Sequence, residues 1–137
     1  MAGSELPEGD LAFSYFPDNY RWSHGVLIAL GGAPWGGAEI DEIHRIGLRL
    51  KNRVGDDAAW FQEWAGEAER IEQIGRAHAA QGRAQTAAAY LFRAAHYYHV
   101  GERFVQPKHA ERQAAYKRGV DSFRTEAVLV RHPSIEH

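Results

Sequence analysis

Histidine is the residue in this chain with the most obvious chemical potential: there are eight in 137 residues. His96 and His99 stand at i, i+3, with Glu102 three residues further, so all three share one helix face. Imidazole and carboxylate groups at that spacing can hold zinc or iron inside a helical bundle. No second helix supplies a matching ligand set, and His24, His44 and His78 stand singly along the chain. The plainer account is a set of partly buried, hydrogen-bonded rings. No metal is therefore assigned, and no cofactor is called for.

Nucleophilic chemistry finds less support. The nearest string to a G-x-S-x-G elbow is Gly119-Val120-Asp121-Ser122-Phe123, which lacks the closing glycine and falls inside a helical pattern. Walker A, dinucleotide-binding and HExxH motifs are absent. Cysteine is absent too, which removes thiolate metal sites, disulfides and cysteine nucleophiles together. Aromatic residues form the second signal. Tyr15, Phe16, Tyr20 and Trp22 crowd the start of the first helix, and Tyr97, Tyr98 and Phe104 gather near the end of the fourth. Trp35 lies among glycines 31, 32, 36 and 37, a pattern that suggests close backbone approach or mobility. A concave aromatic patch with a few polar tips suits a flat organic ligand. At any single position an aromatic on a helical stripe is more often core.

Five helices must position these groups. Pro17-Asp18 opens the first, from about Asn19 to Leu30, with Asp18 as the capping residue and Gly31-Gly32 as the stop. Ile40, Ile43, Gly47, Leu50 and Val54 recur at spacings of 3, 4, 3 and 4 and predict the second helix, with Gly55 as its C-cap. Asp56-Asp57 caps a third, about Ala58 to Gln81, with a stripe of Phe61, Trp64, Ala68, Ile71, Gly75 and His78. Beyond Gly82-Arg83 the fourth, about Ala84 to Gly101, sets small residues opposite the third, which predicts a close antiparallel hairpin. A fifth, about Lys108 to Ala127, carries Tyr116, Val120, Phe123 and Ala127 at spacings of 4, 3 and 4. The fold class expected is all-α, with a short β-like tail from Val128 to Pro133. The arginines alternate with acids, as in Glu67, Glu69, Arg70 and Glu72, which reads as solvated helix faces.

Composition narrows the class further. Hydrophobic residues make up 45% and charged residues 25%, with a formal charge of −2 and pI ≈ 6.4. That is an ordinary globular composition without the clustered basic excess of a nucleic-acid binder. Met1 to Asp10 has no basic region leading into an apolar run, and Gly25 to Ala38 is too short and broken to span a bilayer. A cytoplasmic protein, with neither nucleic acid nor membrane as partner, is the expectation.

Several segments then resemble a known group. Asn19-Tyr20-Arg21-Trp22-Ser23-His24-Gly25 opens the first helix, and Gly36-Gly37-Ala38-Glu39-Ile40 the second. Trp60 and Trp64 form a W-x-x-x-W helix start, and Tyr90-Leu91-Phe92-Arg93-Ala94-Ala95-His96-Tyr97-Tyr98 a Y-L-x-R-A-x-x-Y-Y segment. From about Asp18 to Ala127 the chain resembles the N-terminal helical region of a group of α/β-hydrolases. That group contains 2,6-dihydroxypseudooxynicotine hydrolase, fungal polyketide-shortening hydrolases and relatives of the fermentation–respiration switch protein. Where the family has a Ser-Ala-Arg run, this chain reads Gln85-Thr86-Ala87-Ala88.

The resemblance implies a helical lid over a hydrolase core that cleaves carbon–carbon or ester bonds next to a carbonyl. The serine, acid and histidine of that chemistry belong to the core, so none is carried over here. It also implies residues 1–17 as an irregular lead-in, 18–127 as the lid-like domain, and 128–137 as a tail leading toward a catalytic core outside this chain. The partners implied are that core, in cis or in trans, and a small aromatic or polyketide-like substrate; a homodimer is compatible as well. Trp22, His24, Trp35, Tyr97 and Tyr98 are then the candidates to shape the substrate pocket. A free-standing tetratricopeptide-like module is the alternative, because Trp64, Ala68, Gly82, Ala89 and Tyr90 follow a related rhythm, although no second copy at a 34-residue period follows.

Overall fold

The computed structural model describes residues 14–131. Five α-helices follow one another: α1 (Tyr20–Gly31), α2 (Ile40–Leu50), α3 (Asp57–Ala80), α4 (Ala84–Glu102) and α5 (Ala110–Leu129), with a 3₁₀ turn at Ala33–Trp35 between α1 and α2. No strand occurs among the described residues. None of their helices is long and apolar enough to cross a membrane.

The starts of the helices follow local chemistry. Asn19, rather than Asp18, caps α1, its Oδ1 accepting from the Trp22 N–H at 3.0 Å. Asp56 caps α3 in the same way, accepting from the Ala59 N–H at 3.0 Å. Each cap satisfies an N–H that the helix itself leaves free. Gly82, at φ 74°, makes the left-handed turn between α3 and α4 that other residues rarely adopt.

The expected hairpin of α3 and α4 is the centre of the fold, and α5 packs against the other side of α4. Gly75 is what lets α3 approach so closely: a Cβ there would stand 3.0 Å from the Leu91 Cγ. The interior is a run of edge-on and tilted rings. Phe16, Trp22, Trp60, Trp64 and Tyr97 follow one another with successive centroids 5.3, 5.1, 5.4 and 5.6 Å apart. Such pairs contribute about 0.5–1.5 kcal/mol each beyond the area they bury. Tyr15 and Phe16 lie on the domain as expected, with Tyr15 over Gly47. The remaining lead-in, with Phe13, lies outside the described residues.

Three expectations are corrected. α2 stops at Leu50; Ile40 and Val54 are exposed, and Ile46 joins Ile43 and Leu50 on the buried face. The inward face of α5 is Ala115, Gly119, Ser122 and Glu126, while Tyr116 and Phe123 are 60% and 40% exposed. α5 lies so close to α4 that a Cβ on Gly119 would sit 3.2 Å from the Tyr98 Cβ, and larger side chains are turned aside. Finally, Val128 and Leu129 continue α5 as helix, and Val130 and Arg131 form its exit. The rest of the β-like tail lies outside the described residues.

Candidate functional site

Glu69 and Arg70 of α3 are exposed, as their spacing suggests, but Glu67 and Glu72 of α3 are buried, and so is Glu42 of α2. Glu42, Glu67 and Glu72 are only 7%, 7% and 5% exposed. Arg93 of α4 clamps Glu42 of α2 through Nε at 2.8 Å and a second guanidinium nitrogen at 2.9 Å. The Tyr97 hydroxyl donates to the same carboxylate at 2.8 Å and accepts from the Glu39 N–H, which opens α2, at 2.9 Å. One hydroxyl thus ties the start of α2 to α4.

A second assembly joins α3, α4 and α5. Glu72 accepts from the Tyr98 hydroxyl at 2.7 Å, from Arg76 at 2.7 Å and from Arg118 at 3.0 Å. Burial alone would raise the Glu72 carboxyl. The bonds from Tyr98 and Arg76, with the Arg118 charge, outweigh it and hold the group below the usual carboxylate range. Burial, reinforced by these carboxylates, pushes both the Tyr97 and the Tyr98 phenol well up, so both hydroxyls stay protonated and can donate. Such groups hold helices in place; they present no reactive atom to a ligand.

The proposed pocket residues therefore separate. Trp22 is fully buried and donates its indole N–H to Asp57 at 3.0 Å. Tyr97 and Tyr98 are buried in the two assemblies. His24 is exposed on α1 and stacks on Tyr20, with centroids 5.9 Å apart. Trp35 alone of the five lines a groove. It stands 79% exposed at the end of the 3₁₀ turn, which Gly36 closes at φ 78°. The groove, of about 370 Å³, runs between that turn, α4 and α5. Ala88 and Phe92 form its α4 wall, Phe123, Glu126 and Val130 its α5 wall. Its size is that of a small-molecule site. Sequence periodicity passed over Phe92, Val130 and the role of Phe123. The signal was present in the small residues Ala115, Gly119 and Ser122 beside the larger stripe, since only the small row fits against an alanine-rich helix.

The metal candidates do not converge. His99 Nδ1 lies 3.3 Å from Glu102, which Arg112 also approaches at 3.6 Å. His96 turns instead toward the glycine turn, where a Cβ on Gly32 would stand 2.9 Å from its Nε2. Among the described residues no group of three His, Cys, Asp or Glu side chains could hold a metal ion. Ser122 is fully buried and its hydroxyl has no hydrogen-bond partner, so no base activates it.

No protein-family model, curated protein or solved structure matches the chain.

His96 packs behind the turn that carries Trp35. Its Nε2 is buried without a hydrogen-bond partner, against the backbone of the turn that carries Trp35. Burial pushes the ring below the usual imidazole range; the nearby Ala29 carbonyl pulls the other way, and His99 adds to the depression. The folded chain therefore keeps His96 neutral where an unfolded one protonates it, near pH ~6.5. Its contribution to stability is complete above that pH and is lost as pH falls toward the folded value. Urea midpoints of the wild type should fall more between pH ~7.5 and ~5.5 than those of His96→Leu. Equal falls in the two proteins would refute it.

Proposed function

We propose that this chain is a helical lid and substrate-specificity domain that works with an α/β-hydrolase catalytic core, in cis or in trans. The bonds cleaved by that core would be carbon–carbon or ester bonds next to a carbonyl. The carrying observation is the groove walled by Phe92 and Phe123, with Trp35 held out at its rim. Flat rings of a small aromatic or polyketide-like substrate would lie against those walls. The lid would orient the substrate and shield the reacting bond from water, which accelerates reaction through positioning. Support also comes from the resemblance along Trp60–Trp64 and Tyr90–Tyr98, and the absence of cysteine suits a reducing cytoplasm.

Trp35 provides the assay. The other three tryptophans are fully buried, so ligand-dependent quenching of the exposed indole reports on the groove. Aryl esters and aromatic β-diketones should quench it, and Trp35→Ala, which lacks the reporter and is followed by isothermal titration calorimetry beside the wild type, should weaken their binding by about tenfold, roughly 1.4 kcal/mol. The same substitution should change stability by no more than ~0.5 kcal/mol. Binding that survives Trp35→Ala unchanged removes the groove as the site. Serine-dependent turnover by the isolated chain would overturn the division between lid and core.

A tetratricopeptide-like module is the second reading. It is favoured by the serial packing of α3 on α4 and α4 on α5, which leaves one side of α5 open.

A further inference from the structure

The groove beside Trp35 has two unlike ends. A Cβ on Gly119 of α5 would meet Tyr98 and Ala95 of α4, and Phe123 pairs with Phe92 at 6.3 Å between centroids, so α5 runs back along α4. Phe92 and Phe123 therefore close one end, and Gln85 with Val130 stands at the other. Gln85 and Phe92 are seven positions apart on α4, two turns along one face, which is about 10 Å of helix. Between them Ala88 and Ala89 floor the groove with single methyl groups, so a long ligand can lie along it.

Polarity narrows what fits there. Gln85 stands exposed in the first turn of α4, and its side-chain amide has no hydrogen-bond partner among the described residues. A carboxamide offers two N–H donors and one carbonyl acceptor, so it can meet a carbonyl, an amide or a hydroxyl group. No lysine, arginine or histidine is among the described residues that line the groove, and its one charged side chain is Glu126. A carboxylate or phosphate would leave water there without a cation to receive it, whereas an uncharged polar group needs only its hydrogen bond.

We propose that Gln85 is the specificity-determining residue of this groove, and that the ligand is an uncharged, elongated molecule. Its ring lies at the Phe92–Phe123 end, and its polar group reaches Gln85 two helical turns away. This rests on the reading of the groove as a substrate site, and it adds the substrate's length, charge and polar tip. Contact with Phe92, Phe123 and Trp35 supplies affinity but accepts any flat ring. The bond to Gln85 decides which way the molecule lies. With the ring held, only a chain of matching length brings its polar group to the amide. Shorter chains leave Gln85 to water, and acids find no counter-charge. Gln85 thus acts as a positioning residue.

The test uses the full chain, with Trp35 quenching as the readout and three probes that carry a phenyl ring and a polar group at opposite ends. Phenylbutanamide, met by the Gln85 side chain, spans the alanine floor; phenylacetamide is too short; phenylbutanoate is the acid of the same length as the first. Phenylbutanamide should bind at least about tenfold more tightly than phenylbutanoate. Gln85→Ala keeps Trp35 and alters one exposed side chain, and circular dichroism would confirm intact helices. It should weaken phenylbutanamide by about fivefold, the scale of one hydrogen bond, and leave phenylacetamide within about twofold. Gln85→Asn, one methylene shorter, should move the preferred chain up by one methylene to phenylpentanamide, a shift that a merely structural role would not produce. Equal effects of Gln85→Ala on the two amides, or an acid that binds as tightly as its amide, overturn this proposal while quenching by aryl esters upholds the groove as a site. Absence of quenching by every aryl compound removes the groove itself, and both readings with it.

Discussion

Arg93→Ala should lower the unfolding free energy by about 3–5 kcal/mol, the cost of leaving a buried charge without its partner. The Arg93 and Glu42 side chains are 11% and 9% exposed. Removing the guanidinium strands a carboxylate that retains one donor inside the protein, the Tyr97 hydroxyl, with Arg70 at 3.8 Å on the outer side. Water cannot replace Arg93 without opening the junction of α2 and α4. The double replacement of Glu42 and Arg93 by leucine should cost less than Arg93→Ala alone, since the desolvation penalty then disappears with the charges. Urea unfolding of the three proteins measures this. A cost for Arg93→Ala below ~1 kcal/mol, the range of a surface pair, would show that water reaches the carboxylate.

Trp60→Ala should be equally damaging, at about 3–5 kcal/mol. Trp60 is fully buried and touches rings on three sides: Trp22 at 5.1 Å, Trp64 at 5.4 Å and Phe104 at 5.1 Å between centroids. Its indole edge also fills the space beside Gly25, where a Cβ would stand 2.8 Å away. An alanine at position 60 leaves a cavity bordered by α1, α3 and the segment after α4, which rigid helices cannot close. The indole N–H adds a separate contribution. In Trp60 it donates to the Val100 carbonyl at 3.0 Å, whereas in Trp64 it is buried without a partner. Trp60→Phe should therefore cost more than Trp64→Phe, because the first removes a made bond and leaves the Val100 carbonyl only the long 3.4 Å bond from the Arg103 N–H, while the second removes an orphaned donor. Thermal melts of the pair decide the point; the reverse order would mean that ring volume alone sets the cost.

Much of the architecture was legible before any coordinates. Asp56, the break at Gly82 and the apolar rows of α3 and α4 report local interactions, and local interactions are written in local sequence. The buried acids were not legible for the opposite reason. Glu42 is neutralised by a residue on α4, and Glu72 by residues on α4 and α5 as well as by its near neighbour Arg76. Their spacing among arginines is the same as on a solvated face. Tyr97 and Tyr98 were drawn into a pocket hypothesis because an aromatic with a polar tip suits a ligand and a helix junction equally well. The groove was half legible. Trp35 stood out among its glycines, but Phe92 and Phe123 meet only because α5 turns its small row inward.

Adjacent positions on a helix point about 100° apart, so Tyr97 and Tyr98 reach to different neighbours from one short stretch of α4. Tyr97 holds α2, and Tyr98 holds α3 together with the arginine of α5. α4 cannot rotate to improve one attachment without breaking the other. The two tyrosines together fix the angle of α4 about its own axis, and with it the direction in which Ala88 and Phe92 face the groove beside Trp35.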